Sequence, residues 1–131
     1  MTDMPIEITM LAWAGLLAVV QVLIPVLFAT PAWGLNYLAG PRDEGRKLDG
    51  VGGRAARADV NMITAIALFA PAALAVTLTQ QASPTTALAA QTFFWARLVY
   101  LPIYMAGVPW LRTLVWLVGL AATVALYIAL L

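Results

Sequence analysis

The side chains able to do chemistry fall on two stretches of otherwise apolar sequence. In GRAARADVNMITAIALFAP, residues 53–71, Arg57, Asn61 and Thr64 stand at i, i+4 and i+7, which is one face of a helix. In FFWARLVYLPIYMAGVP, Arg97, Tyr100 and Tyr104 stand at i, i+3 and i+7, again one face, and Arg112 follows in the next segment. An arginine inside a membrane span costs about 2.5–3.5 kcal/mol, so it should face protein, a partner charge or a polar ligand. Asp59 is the acid nearest in sequence to the first stripe and the expected partner of Arg97.

The elements that must hold these groups follow from composition. The chain of 131 residues is 63% hydrophobic and 10% charged, with a mean hydropathy of +0.92, far from a soluble average. Its charges are segregated: none between Glu7 and Arg42, none between Asp59 and Arg97, none after Arg112. Four apolar stretches result, at about 8–38, 60–78, 86–105 and 110–131, each close to or above the roughly 20 residues that cross a hydrocarbon core. The expected fold is all-α, a single four-helix integral membrane bundle. Pro25, Pro71 and Pro102 fall inside these stretches and are expected to kink rather than break them. The first stretch does not read as a signal peptide, because its flank is acidic and its apolar run too long.

The loop at about 40–59 holds Arg42, Arg46, Lys47, Arg54 and Arg57, whereas QQASPTT is uncharged, so the positive-inside rule puts the long loop in the cytoplasm. Arg112 then lies near the same membrane face as Arg57. The absence of His and Cys leaves no haem or zinc site of the usual kind, no disulfide and no cysteine nucleophile; any thiol must be brought in. No acid falls inside the second, third or fourth stretch, which argues against a carrier built on a mid-membrane carboxylate. DGVGGR lacks a following Lys-Ser or Lys-Thr, so a phosphate loop is not expected.

These polar groups also admit a bland reading. They could be interhelical glue, with Arg97 paired to Asp59 and Asn61 bridging a backbone carbonyl. Arg54 and the cluster from Arg42 to Lys47 read as solvated loop charges, and Trp110 and Trp116 as residues of the interfacial aromatic belt.

RADVNMIT, followed by Phe69 and Pro71, resembles the second-helix signature of the MAPEG family, the membrane-associated proteins in eicosanoid and glutathione metabolism. FFWARLVYLPIYMAGVPWLRTLVW is similar to that family's third helix and the start of its fourth, especially in the bacterial branch. The resemblance implies a homotrimer in a bacterial inner membrane, with glutathione as cosubstrate and no metal or haem. The implied activity is that of a glutathione transferase or peroxidase acting on lipophilic electrophiles or lipid hydroperoxides drawn from the bilayer. By the same resemblance Arg57 and Asn61 contact glutathione, Asp59 holds a further ligand-contacting or arginine-pairing position, Tyr100 and Tyr104 line the cosubstrate pocket beside Arg97, and Arg112 stabilises the thiolate. One departure stands out: Thr64 occupies the place of the family's glutamate. The alternative expectation is therefore a non-catalytic trimeric membrane protein of the same fold that binds a lipid or an anionic ligand.

Overall fold

The structure is a computed structural model that describes residues 3–131, and those residues contain helices and no strand. Four helices are long: α1 (Ile6–Trp33), α3 (Gly50–Leu78), α4 (Pro84–Ala106) and α5 (Pro109–Ile128); α2 (Leu35–Ala39) is a short helix after α1. They run up and down in turn, so the α2 segment, the basic loop and the α4–α5 turn share one end of the bundle.

Burial is patterned for a lipid solvent. In α1 the buried positions include Glu7 and Gln21, while Leu16, Val20, Leu23 and Leu27 are exposed, the reverse of a soluble helix. α1, α3 and α5 are each long and apolar enough to cross a membrane. α4 is comparable in length at 23 residues, but it carries Gln91 and Arg97, and it turns Arg97 inward to 2% exposure.

The helix limits differ from those expected. The first helix stops at Trp33, not Leu38, because Gly34 adopts a φ of +79°, a left-handed conformation that favours glycine and ends the helix. α3 begins at Gly50 rather than Val60, so residues 50–59 are helix and the loop is shorter than expected. The alanines of GRAARA favour helix whatever the charge of their neighbours, whereas the expected limit followed the charges alone. Asp59 thus lies inside a long helix, contrary to the expectation that the second to fourth helices hold no acid. Pro25, Pro31, Pro71 and Pro102 all lie within continuous helices.

The core joins α3 and α4 through Phe69 and Phe93, whose rings stack at 3.9 Å. Buried Ala72, Ala73 and Ala90 let the helix backbones approach closely around them. Three polar ties fix the ends and the flank. Thr86 donates from its hydroxyl to the buried carboxylate of Glu7, joining the starts of α4 and α1. Arg54 Nε donates to the Met105 carbonyl at 2.8 Å, joining the start of α3 to the end of α4. The Tyr127 hydroxyl donates to the Leu68 carbonyl at 2.8 Å, tying α5 to α3. Ser83 and Thr86 form a capping box that satisfies the first amides of α4.

Candidate functional site

Each residue of α3 is rotated by about 100° from the last, which brings Arg57, Asn61 and Thr64 within an arc of about 60° and carries Asp59 about 200° away from Arg57. α4 contributes its own stripe, and α5 closes the site. Arg57, Asn61, Tyr100, Tyr104 and Arg112 line one cleft of about 270 Å3, together with Thr113 and Trp116. Arg57, Tyr104 and Arg112 continue into an adjoining cavity of about 220 Å3 at the bundle end, where Arg54 joins them. Asn61 and Trp116 lead the other way, into an inner chamber of about 110 Å3 that holds Thr64, Leu68, Phe93 and Arg97. The site therefore runs from a cationic mouth to a more apolar interior. Asp59 lines none of these three spaces.

The cations and rings alternate along α4 and α5. The Arg97 guanidinium carbon lies 4.3 Å from the Tyr100 ring centroid, the Tyr100 and Tyr104 rings are 5.5 Å apart, and the Arg112 guanidinium carbon lies 4.7 Å from the Tyr104 centroid. Ring faces attract cations, so the tyrosines hold both guanidinium groups without neutralising them.

Arg97 is not paired with Asp59. Its Nη2 donates to Asn61 Oδ1 at 2.8 Å, while Asp59, on the other side of α3, keeps a buried Oδ1 with no hydrogen-bond partner among the described residues. The expected ion pair fails on helix geometry: an acid about 200° from the cleft-facing stripe cannot reach a cation in front of that stripe. The bond to Arg97 also decides the orientation of Asn61. A guanidinium only donates, so the amide must turn its oxygen to Arg97, which leaves Nδ2 free to donate to a ligand.

Among the described residues the one ion pair is in the loop, Arg46 Nε to Glu44 Oε2 at 2.7 Å. The hydrogen bond from Arg46, together with its charge, holds the Glu44 carboxyl below its ordinary value. Arg54, Arg57 and Arg112 have no carboxylate partner among the described residues. Three cations converging on one mouth without an acid make a site for an anion.

Two members of the site were read otherwise from the sequence. Arg54, expected to be a solvated loop charge, lies on α3 and lines the mouth; its place three residues before Arg57 puts it on the same helical face. Trp116, taken as a belt residue, borders both the cleft and the inner chamber, one helical turn after Arg112. Thr64 falls in the inner chamber, and its hydroxyl donates to the Val60 carbonyl at 3.2 Å.

No curated protein and no solved structure matches the chain. Residues 10–131 match the family model of the MAPEG family, a span that takes in both polar stripes, the cleft and all but the first residues of α1. The chain belongs to the MAPEG family of membrane helical bundles, which includes glutathione transferases, glutathione peroxidases and eicosanoid synthases.

Proposed function

We propose that the protein is a membrane-bound glutathione transferase or peroxidase acting on lipophilic electrophiles or lipid hydroperoxides. The observation that carries this reading is the convergence of Arg57, Asn61, Tyr100, Tyr104 and Arg112 on a single cleft whose arginines lack acidic partners. Glutathione brings two carboxylates, two peptide amides and a thiol. Arg57 offers a bidentate fork to a carboxylate, and Asn61 Nδ2 offers a donor to a peptide carbonyl.

Arg112 is assigned to the sulfur. A free thiol has a pKa of about 8.5, so only a few per cent is nucleophilic at neutral pH. Arginine cannot take the proton, but its fixed charge favours the thiolate; lowering the thiol pKa by about two units requires about 2.7 kcal/mol of differential stabilisation. The thiol proton passes to water. In conjugation the sulfur attacks the electrophilic carbon, a carbon–sulfur bond forms, and the leaving group departs with its bonding pair. In peroxide reduction two thiols become a disulfide while the hydroperoxide is reduced to an alcohol and water. The inner chamber, with Leu68 and Phe93 in its wall, seats the apolar cosubstrate.

All four long helices cross the membrane in this proposal, with the basic loop cytoplasmic by the positive-inside rule in a bacterial inner membrane. The assembly is a homotrimer, which native mass in several detergents would check. Thr64 favours a second reading, because no acid in the cleft meets the ammonium of the γ-glutamyl group. In that reading the trimer is non-catalytic and its cleft keeps a lipid or an anion. Calorimetry with glutathione on detergent-purified protein, paired with turnover of a chromogenic aryl halide, decides between them. Binding and turnover are expected; if both are absent and Thr64→Glu restores neither, the second reading stands.

A further inference from the structure

Among the residues that line the inner chamber there is one cation, Arg97, and no acid. They all belong to α3, α4 and α5 of one chain, so the chamber is built without a second copy. Its two threonine hydroxyls spend their protons on helix carbonyls, Thr64 on Val60 at 3.2 Å and Thr123 on Gly119 at 3.1 Å, and can only accept. Of the donors that remain, Asn61 and Trp116 stand at the boundary with the cleft, and Arg97 lies within. Its Nη2 is spent on Asn61, and its guanidinium carbon lies 4.3 Å from the Tyr100 ring centroid, which fixes the group without neutralising it. Nε is buried without a partner, and Nη1 donates to nothing among the described residues. A fixed charge with a free donor in a buried wall is suited to stabilise negative charge that develops on a bound oxygen.

Arg112 stands at the other end of the same path. Arg97 faces Tyr100, Arg112 faces Tyr104, and the two rings are 5.5 Å apart. One arginine thus meets the sulfur, where the charge begins, and the other lies deeper, several atoms further on. In substitution at a halide or a peroxide the electron pair departs on the atom next to the one attacked. In conjugate addition to an α,β-unsaturated carbonyl it travels further: the thiolate bonds to the β-carbon, the π pair shifts toward the carbonyl, and the oxygen takes the negative charge four bonds from the sulfur. Water then protonates the α-carbon, and no group leaves. The chamber of about 110 Å3 is smaller than the roughly 150 Å3 cavity that accepts benzene, so it takes a carbonyl head with a few carbons. We propose that Arg97 is a catalytic residue that donates from Nη1 to the carbonyl oxygen of α,β-unsaturated ketones and aldehydes and stabilises the enolate formed when the thiol adds. This role rests on the transferase reading above and names its cosubstrate class.

The test compares but-3-en-2-one with 1-iodopropane, two small electrophiles of which only the first places charge on oxygen, by steady-state kinetics with glutathione and detection of both products by mass spectrometry. Arg97→Met should lower kcat/KM for the enone about a hundred-fold more than for the iodide, the loss that follows removal of one donor to an oxyanion. A merely structural role would lower both alike. Arg97→Lys keeps the charge and should recover part of the ratio. Thr64→Glu sets an acid in the chamber wall at a position exposed on α3, and should lower the ratio with Arg97 in place. A readout without turnover uses butan-2-one labelled with 13C at its carbonyl and bound in the absence of thiol: its infrared carbonyl band should lie lower in the wild type than in Arg97→Met. An unchanged ratio in Arg97→Met, with both electrophiles still reacting, overturns the proposal and leaves the transferase reading intact; so does an unshifted carbonyl band. Should Arg97→Met not fold, an unchanged ratio in Thr64→Glu overturns the proposal by itself. Turnover of neither electrophile by the wild type overturns both.

Discussion

The partner of Arg97 is the point at which the structure departs most sharply from charge pairing, and a double-mutant cycle measures it. Arg97 is 2% exposed, donates to Asn61 Oδ1 at 2.8 Å, and leaves Nε buried without a partner. A hydrogen bond from a charged donor contributes about 1.5–3 kcal/mol in soluble proteins. Interhelical hydrogen bonds in membranes run lower, averaging about 0.6 kcal/mol with a maximum near 1.7, because the unfolded chain finds other partners. A guanidinium buried to 2% exposure belongs near the upper end, so the expected coupling of Asn61→Ala with Arg97→Met is about 1–2 kcal/mol. Methionine keeps the apolar stem of the side chain beside Gly119 and removes only the charged head. The control pairs Asp59→Ala with Arg97→Met and should be additive to within about 0.5 kcal/mol, because the two side chains lie on opposite sides of α3. Unfolding in mixed micelles of increasing denaturing detergent, followed by the near-ultraviolet signal of the five tryptophans, supplies the free energies. Coupling below about 0.5 kcal/mol for Asn61 and Arg97, or above about 1 kcal/mol for Asp59 and Arg97, would refute the assignment.

The two arginines of the cleft should divide the catalytic work. Arg57→Ala removes a carboxylate contact made in ground and transition states alike and should mainly raise KM for glutathione, while Arg112→Ala should mainly lower kcat and move its pH profile upward, as steady-state kinetics with an aryl halide would record. Thr64→Glu should tighten glutathione by about five- to thirty-fold in calorimetry, the equivalent of about 1–2 kcal/mol after desolvation of the new charge; no gain would show that an acid at this position cannot reach the ligand. A Cβ at Gly119 would lie 3.7 Å from the Ala96 Cβ and the Arg97 Cδ, an ordinary contact, so Gly119→Ala should leave stability unchanged or slightly raised. Gly119→Leu has no such room and should cost about 1–3 kcal/mol in the same unfolding assay, separating α5 from α4.

The membrane class and the long helices were legible because lipid exposure leaves a coarse signal: runs of apolar residues between charged punctuation. Helix limits were less legible, and the reason differs at the two errors. At Gly34 a single left-handed residue ends α1 inside a run that stays apolar to Leu38, so hydropathy carries no mark of the break. At Gly50 the helix extends into charged sequence, because propensity and packing, not hydropathy, decide whether a segment beyond the apolar run is helical. The stripes of α3 and α4 were legible because helical spacing holds whichever residue is first. Arg54 and Trp116 were hidden by assumptions about place, one assigned to a loop and the other to a surface belt.

Asp59 shows why charge alone is a poor guide inside a bundle. Its sign matched Arg97, yet the periodicity that gathers Arg57, Asn61 and Thr64 puts Asp59 on the side of α3 that also carries buried Gly52, Ala55 and Met62. Gly52 lies against Phe28 of α1, and about 10 Å further along these antiparallel helices the level is reached by Asp59 on one and Gln21 on the other. Both carry buried polar atoms without a hydrogen-bond partner among the described residues. Two polar sets therefore lie on opposite sides of α3, Asp59 with Gln21 on one and the cleft residues on the other, and the only acid of α3 belongs to the first. Had Asp59 faced Arg97, it would have cancelled a charge of the site. With the acid turned away, Arg97 fixes the amide of Asn61 while Arg54, Arg57 and Arg112 keep their charges, and the cleft is left positive toward whatever anion enters it.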